Sequence, residues 1–383
     1  MNRIYLDHAA TSPVHPEVVE TISDTLAHTF GNASSSYQRG RDSRAIIDQA
    51  RQVFASSLSC QADEIVITSG GSESNNTAII KTAQANADKG KHIITTAIEH
   101  QSVLKPMNYL ESLGFEVTYL PVNQDGVVDL DDFDQALRDD TILVSIMHGN
   151  NQIGSLQPIK AIGDRLADHQ AFFHTDAVQS YCKVPIDVKD LQVDFLSVSA
   201  HKINGPKGIG FLYQRQGINL PSLILGGDQE SKRRAGTENI PYIAGFAKAV
   251  QLRLDHFDDY QELVKSLKQR FIQDLDQEGI DYTINGNLNQ SLDHILNVHL
   301  KGVEAEKLLI QLDLDGVETA AGSACTAGNL TKSHVLVALL GSDHPALSQS
   351  LRFSFGYGLS LEDIDQAVSD LAQAIQRLKD HNH

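Results

Sequence analysis

The period of apolar and polar positions changes along the chain. Between residue 64 and about residue 213, short β-branched apolar runs recur: Glu64–Thr68, His92–Thr95, Glu116–Leu120, Thr141–Met147, Ala171–His174, Asp194–Ser199 and Gly210–Tyr213. Stretches of helical spacing separate them, among them Asn75–Ala87, Ser102–Leu113 and Ile159–Asp168. This alternation predicts an α/β fold with a mostly parallel seven-stranded sheet flanked by helices. Ligands of such sheets bind beyond the carboxyl ends of the strands. An earlier helix is expected with Val18, Val19, Ile22 and Leu26 on one face. Beyond about residue 255 the pattern becomes that of a smaller α+β unit. It runs through a long helix at Tyr260–Glu278, then Tyr282–Ile284, His294–Leu300, a helix near Glu304–Asp313, Val317–Ala320, Leu351–Ser354 and a last helix, Leu361–Lys379.

Composition narrows the classes. The 383 residues, 41% of them hydrophobic, suffice for a large core and more than one domain. The net charge of −18 disfavours direct binding to nucleic acid or to an anionic membrane. No apolar run is long enough to cross a bilayer, and the opening MNRIYLDHAATSP has no secretory core, so a cytoplasmic protein is expected. Three cysteines, Cys60, Cys182 and Cys325, lie far apart without metal-site or redox-motif spacing; no metal site and no disulfide framework are expected.

The candidate chemistry centres on LSVSAHKINGPKGIGFLY, residues 196–213, where Lys202 follows an apolar strand and precedes a glycine-rich turn. FFHTDAVQS, residues 172–180, places Asp176 after another strand, 26 residues before Lys202. Pyridoxal phosphate needs a lysine for its Schiff base and an acid to pair with its pyridinium nitrogen. Taken alone, the lysine reads as a loop residue and the aspartate as a helix cap; the rest of the set separates these readings. SGGSESNN, residues 69–76, joins a strand to a helix, and its glycines, free N–H groups and Ser72 suit a phosphate. Thr237 in GTEN is a further phosphate donor, and Ser199 and His201, flanking Lys202, can face the same group. His100 ends TTAIEH, where an imidazole can stack on a pyridine ring and handle protons. Asn151 in HGNNQIG can bind the ring oxygen or a substrate carboxylate.

SGGSES, AIEH, MHGNNQIG, HTDAVQS, SAHKINGPKGIG, RRAGTEN, GSACTAG and LRFSFG occur in this order between residues 69 and 356, after YLDHAATSP at the start. The set resembles the cysteine desulfurases, fold type I pyridoxal phosphate enzymes related to class V aminotransferases. The resemblance covers nearly the whole chain. It implies a large cofactor-binding domain over residues 14–255, and a small domain of residues 1–13 and 256–383 carrying the catalytic cysteine loop. It also implies a homodimer with the site at the subunit interface. It makes Lys202 the Schiff-base lysine, pairs Asp176 with the ring nitrogen, stacks His100 on the ring and gives Gln179 the phenolic oxygen. Gly71, Ser72, Ser199 and His201 hold the phosphate, with Thr237 supplied by the other subunit, and Asn151 and Arg352 bind the substrate carboxylate. Three positions depart from the commoner pattern: Ser72 for Thr, Ala200 for Gly, and Gln152 for Glu.

Cys325 sits among small residues in AAGSACTAGNLTK, a composition suited to a mobile loop, whereas Cys60 and Cys182 lie beside apolar strand-like stretches. GSACTAG resembles the subclass with the longer cysteine loop. The implied reaction takes L-cysteine to L-alanine and a persulfide on Cys325. Lys202 takes the α-proton, with His100 a candidate proton carrier. The sulfur then passes to an acceptor protein, an iron–sulfur scaffold or a tRNA-thiolation enzyme. Selenocysteine stays open as a second substrate. A class V aminotransferase or other β-lyase makes no use of Cys325, and a non-enzymatic sulfur-transfer scaffold makes no use of the other site residues.

Overall fold

The computed structural model describes residues 3–321 and 332–380, except that within the gap only the backbone of 325–326 and 329–330 is described. Seven strands form the central sheet: β1 (Ile65–Thr68), β2 (His92–Thr96), β3 (Glu116–Leu120), β4 (Thr141–Ser145), β5 (Phe172–Asp176), β6 (Phe195–Ser199) and β7 (Gly210–Gln214). Their order is β1-β7-β6-β5-β4-β2-β3. Neighbours from β6 through β3 are parallel, and β7 is antiparallel to both β1 and β6. The exception has a simple cause. Only residues 200–209 link β6 to β7, fewer than a parallel crossover needs. That short link carries Lys202.

Strands β4, β6 and β7 are buried at every residue, as helices on both faces require. On one face the helices Gln38–Ser56 and Ile240–Asp255 close over Phe54, Phe211 and Phe246, whose rings meet at 4.5–5.7 Å. Neither helix is evident from the chain's apolar spacing, because the first is largely polar and the second follows a glycine-rich stretch. On the other face Ile79, Val103, Met107 and Leu110 pack onto Ile93 and Leu143. These side chains come from Gln101–Ser112 and from a helix that starts at Gly71–Asn76, passes through a π-helical segment at Thr77–Lys81 and ends at Thr82–Ala85.

The expected stripe on Pro16–His28 needs correction. Val18 is buried, but Val19 and Leu26 are 49% and 61% exposed. This helix meets Ile240–Asp255 through Val18 and Ile22 at Gly245, where an added Cβ would lie 2.4 Å from Ile22 Cγ1. That close crossing turns the neighbouring positions outward.

The chain beyond residue 256 builds a second core. Strands β8 (Tyr282–Ile284), β9 (Ile295–Leu300) and β10 (Ser350–Ser354) pair antiparallel with β9 in the centre. Helices Phe257–Gln277, Ala305–Asp315 and Leu361–Asp380 bury Phe271, Leu308 and Leu371 beside Phe353. The first strand, Ile4–Tyr5, pairs in parallel with Val317–Glu318, and Asp7 bridges to Ser354. The amino-terminal segment thus runs from the second core across to the turn after β6, where the Ser12 and His15 N–H groups donate to the carbonyls of His201 and Asn204. Among the described residues no helix is long and apolar enough to cross a membrane.

Candidate active site

The carboxyl ends of β1, β2, β4, β5 and β6 open onto one cavity of about 350 Å³. Gly71, Ser72, His100, Asn151, Asp176, Gln179, Ser199, His201, Lys202 and Arg352 all line it, and among the described candidate site residues Thr237 does not.

Lys202 closes the short 3-10 turn Ala200–Lys202 at the end of β6. Its Nζ donates to the carbonyl oxygens of Ala9 (2.5 Å) and Ala10 (2.6 Å). Burial lowers its pKa to about 7; Arg352 adds to the shift, and Asp7 and Asp176 oppose it. Asp176 ends β5. Its Oδ1 accepts from the Val178 N–H (2.9 Å) and closes a turn, since no helix follows for it to cap, while Oδ2 accepts from Asn75 Nδ2 (2.7 Å). His100 caps the helix Gln101–Ser112: its Nδ1 accepts from the Ser102 N–H (3.1 Å) and lies 2.7 Å from Ser102 Oγ. Burial holds this imidazole below its usual pKa; Asp176 works against that, and Lys202 and His334 reinforce it.

The turn after β1 supplies the anion-binding end. Gly70 has φ +140°, which favours glycine, and a Cβ on Gly71 would lie 2.6 Å from Val178 Cγ2. Ser72, Ser199 and His201 stand at the same end. Burial and then Lys202 push the pKa of His201 down to about 4, so it serves as a neutral hydrogen-bonding group.

The opposite wall comes from β10. Arg352 Nη2 is 2.6 Å from Asp7 Oδ1, and Nη1 donates to the Asn151 carbonyl (2.9 Å). Its Nε is buried and has no partner among the described residues. Asn151 holds the arginine through its backbone. Gln179 Nε2 donates to the same Ala9 carbonyl that holds Lys202 (2.8 Å). Behind it, His294 Nε2 lies 3.3 Å from Gln179 Oε1 and 2.8 Å from the buried Lys183 Nζ.

Thr237 is exposed on the segment that follows β7, outside the cavity. Two ion pairs tie this segment to the β1 edge. Arg234 bonds Glu73 at 2.8 and 3.2 Å, and Glu230 takes Arg51 and the Ile67 N–H. The side chain of Cys325 lies outside the described residues. Burial pushes the thiols of Cys60 and Cys182 up to about 12, so both are inert. Gln152 now has an explanation. Its Oε1 accepts from the Ser333 hydroxyl, the N-cap of the helix His334–Leu340, and an amide oxygen fills that role as a carboxylate would.

The sequence reading missed Asp7, Asn75, Glu99 and Ser102. Asp7 was visible in YLDHAA and Asn75 in SGGSESNN, but neither motif says which partner the side chain meets. Glu99 is fully buried behind His100. Its Oε1 accepts from Thr96 Oγ1 (2.8 Å) and the Met147 N–H (2.9 Å), its Oε2 has no partner among the described residues, and burial raises its pKa to about 8.

The donor set fits a phosphorylated pyridine aldehyde. A carboxylate stands at one end, a glycine turn with hydroxyls at the other, an imidazole and a half-neutral lysine stand between, and an arginine with an unmet N–H faces them. The fold and this site define a class of protein, and the comparisons name it: the family model for class V aminotransferases matches residues 4–367, and the chain belongs to that family. Within it the chain belongs with the cysteine desulfurases. It is 48% identical over 378 residues to the putative cysteine desulfurase IscS 1 of Bacillus subtilis strain 168, covering 99% of this chain and 100% of that protein. It is 45% identical over 376 residues to the cysteine desulfurase IscS of Methanosarcina thermophila, covering 98% and 93%. Among solved structures, a NifS-like protein superposes with a TM-score of 0.92 at 31% identity, covering 98% of this chain and 100% of that one. SspA in complex with cysteine superposes with a TM-score of 0.81 at 36% identity, covering 92% and 98%.

Proposed function

We propose that this chain uses pyridoxal 5'-phosphate to take sulfur from L-cysteine, releasing L-alanine and leaving a persulfide on Cys325. The observation that carries the reading is the meeting of Lys202, Asp176, His100 and Arg352 in one cavity from four separate elements. When bound, the cofactor supplies an electron-accepting ring conjugated to the substrate Cα. Lys202 holds it, and Asp176 places negative charge against its ring nitrogen. Gly71, Ser72, Ser199 and His201 receive the phosphate, Gln179 the phenolic oxygen, and His100 covers one face of the ring. Arg352, held by Asn151, exchanges Asp7 for the substrate carboxylate. A lysine whose pKa is drawn down to about 7 has a neutral fraction at neutral pH, so Lys202 is able to remove the Cα proton. The Cys325 thiolate attacks the substrate sulfur. The S–S bond forms as the Cβ–S bond breaks, the bonding pair stays with carbon, and that carbon takes up a proton on the way to alanine.

Thr237, exposed on its own subunit, completes the phosphate site of the partner in a homodimer. The persulfide passes in the cytoplasm to an acceptor protein, an iron–sulfur scaffold or a tRNA-thiolation enzyme. The chain itself binds neither nucleic acid nor membrane directly.

Cys325→Ser is the test. The variant retains spectral changes with cysteine and Cα-proton exchange, because these depend on Lys202, and it forms almost no persulfide or alanine. Cys60→Ser and Cys182→Ser stay active. Undiminished sulfide release by Cys325→Ser without added thiols overturns the desulfurase reading in favour of a β-lyase.

A further inference from the structure

We infer that Asn75 and Ser102 are positioning residues that hold neutral His100 as its Nε2–H tautomer, so that the ring presents a hydrogen-bond donor to the cavity and its basic nitrogen is turned away. The inference rests on the proposed function for its consequence, and on geometry alone for its content.

Two lines of hydrogen bonding meet at His100 Nδ1 and agree. The first is backbone. The Ser102 N–H points at Nδ1 from 3.1 Å, and an N–H has no lone pair to offer, so Nδ1 must accept. The second starts at the other end of the site. Asp176 Oδ2 is an acceptor, which fixes the Asn75 amide with its Nδ2 toward the carboxylate at 2.7 Å. The same Nδ2 lies 2.8 Å from Ser102 Oγ and donates its second hydrogen there. With that oxygen accepting, the Ser102 proton is directed to His100 Nδ1, 2.7 Å away. Nδ1 therefore receives two hydrogen bonds and carries the ring's lone pair. Nε2 carries the proton, and among the described residues it has no partner.

The consequence divides the labour of the site. The basic nitrogen of His100 is committed to Ser102, and making the ring an imidazolium would put a proton where two donors already point. His100 thus donates from Nε2, and the base is left to Lys202. This changes the reading of His100 as a proton carrier, because the resting ring has no free lone pair facing the cavity.

Long-range 1H–15N correlation on the full-length protein, labelled with 15N-histidine, reads the tautomer directly, with and without cofactor. Among the 16 histidines, His100 is assigned by the signals that His100→Gln removes. The expected pattern is an Nδ1 without a proton and an Nε2 with one. Ser102→Ala removes one of the two donors to the neutral form and raises the protonation midpoint of the ring by roughly 0.4–1 pH unit; Ser102→Thr restores it. The charged and titratable groups around the ring, Asp176, Lys202 and His334, are the same in all three proteins. An Nδ1–H ring in the unmodified protein, or an unchanged midpoint in Ser102→Ala, overturns the inference. If Ser102→Ala does not fold, the tautomer of the unmodified protein decides. A chain without desulfurase activity that still shows the Nε2–H ring overturns the function and leaves this inference standing.

Discussion

The two walls of the cavity are built differently. On the sheet side, Asp176, Asn75, Ser102 and His100 form a continuous run of hydrogen bonds in which both carboxylate oxygens and the imidazole Nδ1 are engaged. These residues come from the carboxyl ends of β5 and β2 and from the helices that follow β1 and β2, so the packing that makes the sheet also makes the network. On the β10 side, Arg352 pairs with Asp7, a residue 345 positions away in sequence, and keeps one N–H unmet among the described residues. A buried guanidinium with an unmet donor and a partly exposed carboxylate partner is poised to change partners. The sheet side suits a group that stays, and the β10 side suits a carboxylate that comes and goes. Lys202 stands between them, held among the described residues by the carbonyls of Ala9 and Ala10.

Lys202→Ala breaks the comparison most severely. It removes the lysine-linked absorption band of the cofactor and all turnover, while leaving the hydrogen bonds of the sheet side in place. Persistence of that band in the purified variant means that another residue holds the cofactor.

Arg352→Ala separates the two walls. Losing a buried, charge-assisted contact costs on the order of 1.5–3 kcal/mol, roughly ten- to a hundredfold in cysteine affinity. Cofactor affinity changes far less, because the residues proposed to take the phosphate and ring lie on the other side. Spectral titrations with cysteine and with pyridoxal phosphate check this; equal losses in both show that the walls are one unit.

Glu99→Gln sharpens the view of the sheet side from behind. The folded protein holds the Glu99 proton up to about pH 8, against the ordinary value of 4.5. Between these values the folded state binds more protons than the unfolded one, so this group's contribution to stability falls as pH rises. The glutamine keeps the acceptor for Thr96 and Met147 and has no proton to lose. Relative to the unmodified protein the variant gains stability from pH 5 to pH 8.5, on the order of 4 kcal/mol, read from urea unfolding at several pH values. Parallel pH profiles for the two proteins show that Glu99 is not protonated in the folded state.

The sheet was legible in the chain because buried parallel strands must be apolar on both faces, and β2, expected at His92–Thr95, runs His92–Thr96 with every residue buried. The helix Gln38–Ser56 was not, since its polar sequence hides a narrow stripe of Ile47, Ala50 and Phe54 that only its neighbours reveal. The exposed Val19 and Leu26 show the converse: spacing alone does not say how wide a buried face is.

The sequence by itself determined the kinds of chemistry at hand. A lysine, an aspartate and a histidine each stand at the end of an apolar run, with a glycine turn for an anion, and in this fold such ends converge whatever the side chains do. Partnership was decided only in three dimensions. That Arg352 meets Asp7, that Asn75 points one amide at both Asp176 and Ser102, and that Lys202 is lodged against Ala9 and Ala10 depend on where the amino-terminal segment crosses from one core to the other. Hydrogen bonds have a short range and a strict direction, and residues hundreds of positions apart acquire both only when the chain has folded.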